Sequence, residues 1–119
     1  MRFDDVRIET EMEKIADVPV VKVTGEIDVY TAPEFKSAVN KAIETGATNL
    51  IIDLTNVSYM DSSGFGILLG ATKRVRPKGG TINLLGCSEA ITRMLKITRL
   101  DTIFGIHCGI EDALAAAKS

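Results

Sequence analysis

Short apolar runs alternate along the chain with segments in which apolar residues recur every three or four positions. The runs predict strands, and the recurring positions predict amphipathic helices. The first two runs are joined only by the polar segment 13–17, which predicts an antiparallel pair. The run at 50–54 is almost unbroken, as in a strand that helices cover on both faces of a largely parallel sheet. Strands are predicted over residues 6–12, 18–24, 50–54, 81–85 and 102–106.

Residues that favour helix starts mark four predicted helices. Thr31 precedes Glu34 by three positions with Pro33 between them, which is the spacing of a capping box. This first helix is predicted to run to about Gly46, and a loop is predicted over 55–60, ahead of the second helix. The predicted helix starts are Thr31, Ser62 or Ser63, Ser88 and Ile110.

The resulting element order is β-β-α-β-α-β-α-β-α, which predicts an α/β fold in one domain over residues 1–119. We expect a mixed, mainly parallel sheet flanked by about four helices, because helical crossovers join parallel strands. The 45% of apolar and 25% of charged residues match a globular protein and exclude a disordered chain or a coiled coil. In such folds, functional residues gather where strand ends meet helix starts.

The charge balance argues against nucleic acid and membranes as partners. Fourteen Lys and Arg against sixteen Asp and Glu give a net charge of -2, so no overall basic field attracts polyanions. The chain shows neither a secretory signal pattern nor an apolar run of membrane-spanning length, which predicts a cytoplasmic protein with reduced thiols. Cys87 and Cys108 lie far apart in the sequence and His107 is the single histidine, so no disulfide, metal site or cofactor is predicted.

The start of the second predicted helix is the first candidate site. Asp61, Ser62 and Ser63 are all good N-cap residues, so capping explains part of the pattern. Two hydroxyls and a carboxylate nevertheless exceed what one cap requires. Gly64 and Gly66 each cost about 1 kcal/mol relative to Ala in a helix, and they let another molecule approach the backbone closely. The pattern therefore predicts a docking site.

A second candidate lies in the turn that follows the second strand, where Glu26 and Asp28 place two carboxylates ahead of the first helix. A solvated acidic loop is the simplest interpretation. In an α/β fold, however, this turn and the serine turn lie at the same end of the sheet, which would bring Asp28 and Asp61 near the serines. We expect an acidic, hydroxyl-bearing patch in which Asp28 is exposed, so that replacing Asp28 alters partner binding while leaving the melting temperature nearly unchanged.

A hydrolase with Ser62 or Ser63 as nucleophile and His107 as base is not supported. A nucleophile elbow has the pattern G-x-S-x-G, whereas Tyr59 and Met60 stand upstream of Asp61 here. The chain also lacks a glycine-rich oxyanion loop. The sequence therefore predicts a binding partner and substrate of other proteins, not an enzyme.

A receiver domain that accepts phosphate on an aspartate is a weaker alternative. Asp53 follows an apolar run and the chain length is suitable. A receiver also needs a lysine after its fifth strand, and residues 106–109 offer none. Asp53 is therefore interpreted as a strand-end residue.

The segment 57–66, together with 50–54 and 25–28, resembles the STAS domain of bacterial anti-sigma factor antagonists, and the resemblance covers nearly the whole chain. It implies a STAS-like fold in which the first serine after the aspartate, here Ser62, is phosphorylated. Phe65 stands where the family often has Leu. The resemblance and the local pattern together give the expected partner-binding residues as Glu26, Asp28, Asp61, Ser63, Gly64, Phe65 and Gly66.

The resemblance also implies a function and partners. In its unphosphorylated form the protein would bind an anti-sigma factor that is a serine kinase and thereby free a sigma factor. Phosphorylation by that kinase would end the binding, and a PPM-type serine phosphatase would reverse it. STAS domains also serve as scaffold subunits of stress-sensing complexes and as partners of lipid transporters, which are the alternatives within the family.

Physical chemistry alone leaves the choice between the two serines open. Whichever hydroxyl caps the helix spends its oxygen on a backbone N–H, so the other is freer to be modified. With the resemblance added, we assign phosphorylation to Ser62 and a capping or hydrogen-bonding role to Ser63, with Ser63 as the alternative phosphorylation site.

Overall fold

A five-stranded sheet whose strands lie in sequence order, β1-β2-β3-β4-β5, forms the centre of the computed structural model, which describes residues 7–118. Two 3₁₀ turns, at Arg76–Lys78 and Leu100–Thr102, join some of the elements. The strands and helices are β1 Ile8–Ile15, β2 Val18–Ile27, α1 Ala32–Glu44, β3 Asn49–Met60, α2 Ser62–Val75, β4 Thr81–Leu85, α3 Glu89–Ile97, β5 Gly105–His107 and α4 Ile110–Lys118.

Strands β1 and β2 form an antiparallel hairpin, and β2 to β5 are parallel, so the predicted mixed and mainly parallel sheet is confirmed. The connection between β1 and β2 is shorter than predicted. Ile15 pairs with Val18, and the two residues between them, Ala16 and Asp17, both have positive φ, as a tight two-residue hairpin turn requires. Val6, the predicted first strand residue, lies outside the described residues.

The largest departure from prediction is the length of β3. The loop predicted over 55–60 is wrong, because β3 continues through these residues and pairs with the end of β2 as far as Met60. Pairing of β3 with β4 stops at Asp53. Beyond Asp53, β3 therefore has β2 as its strand partner, and this long-range pairing extends the strand through a segment of mixed polar and apolar residues.

Two apolar clusters cover the two faces of the sheet. Helices α1, α2 and α3 pack on one face with the larger cluster, and α4 packs on the other with its small residues Ala113 and Ala117. Ile51 and Ile52, which point to opposite faces, are both fully buried. This confirms the prediction that helices cover both faces of the central strand.

The predicted helix caps are confirmed in part. Ser88 caps α3, since its Oγ accepts a hydrogen bond from the N–H of Ile91 at 3.2 Å. The capping box at Thr31 is wrong, because Thr31 makes no side-chain cap bond and its Oγ1 donates instead to the carbonyl of Glu26 at 2.8 Å. The last strand begins at Gly105 instead of residue 102, because the preceding residues form a 3₁₀ turn.

Candidate functional site

The ends of β2 and β3 lie side by side and bring the two candidate loops together. Ile27 and Met60 are paired at the end of the parallel ladder, and the N–H of Asp61 donates to the carbonyl of Ile27 at 3.1 Å. The turn that carries Asp28 and the start of α2 therefore lie at the same end of the sheet, as predicted.

Asp61 caps helix α2. Its Oδ1 accepts a hydrogen bond of 2.8 Å from the N–H of Ser63, and its backbone is extended, as is usual for an N-cap residue. Ser62 and Ser63 are the first two residues of the helix. The capping role predicted for the Ser63 side chain is wrong, because Asp61 is the N-cap residue and Ser63 lies inside the helix.

The two serine side chains have different surroundings. Ser62 is exposed at the helix start, whereas Ser63 is half-buried and lines a groove between α1 and α2. Lys36 and Arg74 contribute to the same groove. The structure thus distinguishes two hydroxyls that the sequence presents as near equivalents.

The two glycines of α2 also differ. A Cβ added to Gly64 would lie 2.5 Å from Cγ of Met60 and 2.9 Å from Cγ2 of Ile27, so Gly64 allows α2 to pack closely on the strands. A Cβ on Gly66 would meet nothing within 4 Å, and Gly66 is exposed. Phe65 is 7% exposed and belongs to the larger apolar cluster. Of the residues expected to contact a partner, Gly64 and Phe65 therefore lie behind the surface, while Gly66 lies on it.

Asp28 is a structural residue of its turn. It is 9% exposed, and its Oδ1 accepts hydrogen bonds from the N–H groups of Tyr30 at 2.9 Å and Thr31 at 3.0 Å. Partial burial raises the pKa of Asp28, but the hydrogen bonds from Thr31 and Tyr30 and the charge of Arg7 outweigh it and leave the pKa below its usual value. The expectation that Asp28 is an exposed charge is wrong.

Arg7 neutralises part of the negative charge of the predicted acidic patch. Its Nη2 lies 2.5 Å from Oε1 of Glu26 and 2.6 Å from Oδ2 of Asp28, so one guanidinium pairs with both carboxylates. The sequence pattern gave no sign of this residue, because the β1–β2 register, in which Ile8 lies opposite Gly25, is what brings Arg7 to the site.

Exposed apolar side chains that were not predicted from the sequence surround the site. Tyr30 is 81% exposed, Val29 62% and Tyr59 52%, and Tyr59 is paired with Glu26 across the two strand ends. Tyrosine is enriched at protein interfaces because it combines a large apolar ring with a hydroxyl and loses little entropy on ordering. The sequence does contain a signal for these residues. They are large apolar residues in or beside a turn, and they do not fit the spacing of buried positions in a helix or strand.

The residues of the alternative chemistries lie elsewhere. His107 lies on β5, where its Nε2 is 3.1 Å from Oδ1 of Asn83. The register places His107 level with Asp53, seven residues before Met60 along β3, or about 20 Å at the usual rise per residue. Asp53 lies within β3, not at its end, and its carboxylate accepts hydrogen bonds from Thr55. Among residues 7–118, no group of three side chains is placed to hold a metal ion.

Comparison with known proteins identifies the family. The sequence profile described as "STAS domain" matches residues 9–117. The chain belongs to the STAS domain family. The anti-sigma-B factor antagonist of Staphylococcus aureus strain NCTC 8325 is 37% identical over 91 residues, which cover 76% of this chain and 84% of that protein.

Solved structures agree with the STAS assignment. A crystal structure of an anti-sigma factor antagonist from Mycobacterium paratuberculosis superposes with a TM-score of 0.86 at 31% identity, covering 94% of this chain and 95% of that one. The crystal structure of a putative anti-sigma factor antagonist from Thermotoga maritima superposes with a TM-score of 0.80 at 25% identity, covering 92% of this chain and 95% of that one. The predicted STAS fold, with its mixed five-stranded sheet and four helices, is confirmed. In the described part of this STAS domain, no helix has the length and apolar character to span a bilayer.

Proposed function

We propose that this STAS domain is an anti-sigma factor antagonist that is switched by phosphorylation of Ser62. In its unphosphorylated form it binds an anti-sigma factor with serine kinase activity and releases a sigma factor in the cytoplasm. The observation that carries the proposal is an exposed hydroxyl at the start of α2, beside the turn at Asp28, in a chain related to proteins named as anti-sigma factor antagonists.

The electrostatics of the site support a switch that acts on binding. A phosphoryl group adds about 1.5 to 2 negative charges. The carboxylate of Asp61 already occupies the helix N-terminus, and Arg7 is already shared by Glu26 and Asp28. The helix dipole favours a phosphate by about 0.3–1 kcal/mol, whereas an unpaired charge buried in an interface costs about 3–5 kcal/mol. The phosphate therefore disfavours the complex more than it alters the fold.

The exposed side chains of Val29, Tyr30 and Tyr59 supply the apolar part of the proposed partner surface. The turn that presents Tyr30 is held by hydrogen bonds to Asp28, so little ordering is needed on binding. Glu26, Asp61, Ser63 and Gly66 complete this surface, while Asp28, Gly64 and Phe65 hold it in position. Reversal by a PPM-type serine phosphatase completes the proposed cycle.

Phosphorylation of matched serine variants tests the proposal. The wild-type chain, Ser62→Ala and Ser63→Ala are each incubated with ATP and the anti-sigma factor kinase from the same cell. Intact-mass and peptide analysis should find one hydroxylamine-stable phosphoryl group on wild type and Ser63→Ala, and none on Ser62→Ala. Phosphate on Ser63 would overturn the residue assignment, and a hydroxylamine-labile phosphate on Asp53 would overturn the switch.

Binding measured with the same variants tests the consequence. Ser62→Ala should stay bound to the kinase when ATP is present, because it cannot be modified. Ser62→Asp should bind the kinase with an affinity between those of the unphosphorylated wild type and the phosphoprotein. A carboxylate carries one charge and has fewer acceptor oxygens than a phosphate. Equal affinity of phosphorylated and unphosphorylated wild type would refute the proposed switch.

A further inference from the structure

The fold brings together the two cysteines, which are far apart in the sequence. Leu85 at the end of β4 is paired with His107 at the end of β5, and the N–H of Gly86 donates to the carbonyl of His107 at 3.0 Å. Cys87 directly follows Gly86, and Cys108 directly follows His107. Neighbouring strands lie about 4.8 Å apart, so the register places the two cysteines on adjacent chain segments just beyond the same end of the sheet, with Cys87 one position further along than Cys108.

The two thiols have different surroundings. Cys87 packs against the larger apolar cluster, as does Ile106. Cys108 follows His107, the last residue of β5, and is exposed. Burial raises the pKa of the Cys87 thiol to about 11, and the nearby thiol of Cys108 adds to the increase. Both cysteines are free, with Cys108 exposed and Cys87 partly buried.

We propose that Cys87 and Cys108 form a modification site, a dithiol that a hydroperoxide oxidises to an intramolecular disulfide. The exposed Cys108 reacts first: its thiolate attacks the peroxide, the O–O bond breaks, an alcohol or water leaves, and a sulfenic acid forms. The Cys87 sulfur then attacks the sulfenic sulfur, the S–S bond forms, and water is released. The two thiols supply the two electrons that the peroxide takes up, and a small thiol restores both by exchange.

The disulfide would close a loop that contains α3 together with the 3₁₀ turn at Leu100–Thr102. It would tie both ends of that segment to the carboxyl ends of β4 and β5. This inference is independent of the proposed function, since neither cysteine belongs to the surface around Ser62.

Oxidation of the full reduced chain tests the inference. The protein is treated with hydrogen peroxide in modest excess and quenched by alkylation of free thiols. We expect both thiols to disappear together, the intact mass to fall by two hydrogen atoms, and a cross-linked peptide to contain Cys87 and Cys108. Dithiothreitol should restore the starting mass. The non-reducing gel should show a monomer throughout.

Two single variants provide the controls. Cys108→Ser changes an exposed side chain and should keep Cys87 reduced under the same conditions, because the first thiol to react is missing. Cys87→Ser should accumulate oxygen on Cys108 or link two chains, because the resolving thiol is missing. A wild-type chain that gains oxygen on Cys108 while Cys87 remains free would overturn the inference, as would a wild-type covalent dimer.

Discussion

Alanine substitutions at Gly64 and Gly66 should have different effects on stability, although both glycines lie in the first turns of α2. Either substitution gains about 1 kcal/mol, because alanine loses less backbone entropy in a helix. At Gly66 nothing opposes this gain, since the added Cβ meets no atom within 4 Å. At Gly64 the added Cβ would approach Cγ of Met60 to 2.5 Å and Sδ to 2.6 Å. Such overpacking costs about 1–3 kcal/mol.

The helix gain is common to both variants, so the difference between them isolates the packing term. Gly66→Ala should be more stable than Gly64→Ala by about 1–3 kcal/mol. For a domain of this size, this corresponds to melting temperatures about 4–12 °C apart. Urea unfolding of wild type and both variants measures the free energies of unfolding, and an unchanged denaturant slope would show that the unfolded state is unaffected.

Two results would contradict this reasoning. If the two variants unfold within about 0.5 kcal/mol of each other, then Met60 moves aside without cost and Gly64 is not required by packing. If Gly66→Ala is destabilised, then the surface described around Gly66 is not open. Under the proposed function, Gly66→Ala should also be phosphorylated more slowly than wild type despite its higher stability, because the added methyl group lies on the partner surface.

Three further substitutions test the site. Asp28→Asn should lower the melting temperature at pH 7. Because folding lowers the pKa of Asp28, its charge stabilises the fold above about pH 3.9 and this contribution is lost as the pH falls through the folded value, so thermal melts should converge in acid. If the melting temperatures of wild type and Asp28→Asn differ by the same amount at pH 7 and in acid, the lowered pKa of Asp28 is contradicted. Tyr30→Ala should weaken binding to the anti-sigma partner with little change in melting temperature, measured by titration calorimetry and thermal melts; unchanged affinity would remove Tyr30 from the partner surface. Asp61→Ala should cost about 1 kcal/mol of stability through loss of the cap, measured by urea unfolding, and no loss would show that another group caps α2.

The parts of the fold that depend on local pattern could be predicted from the sequence. The apolar run at 50–54 identified the central strand, and Ser88 marked the start of α3. The extension of β3 over 55–60 could not be predicted, because these residues are held by pairing with β2, which is distant in the sequence. The propensity of a short segment contains no information about such a partner.

In the candidate site, too, the features set by local sequence could be predicted and those set by long-range contacts could not. The motif around Ser62 and the meeting of the two loops were predicted, because strand ends of a parallel sheet share an edge. The identity of the N-cap residue of α2 could not be predicted, since Asp61, Ser62 and Ser63 all favour that position. The hydrogen bond from the N–H of Asp61 to the carbonyl of Ile27 decides among them. The ion pair of Asp28 with Arg7 could not be predicted either, because the hairpin separates the two residues in the sequence.

Because β3 outruns β4, the surface around Ser62 is built at the end of an arm formed by β1, β2 and β3. In this arm β2 lies between β1 and β3, and α1 and α2 cover it. The half of the molecule formed by β4, β5, α3 and α4 therefore contributes more to the stability of the fold than to the shape of the surface around Ser62. We therefore expect stability and partner binding to be changed by substitutions in separate parts of one small chain.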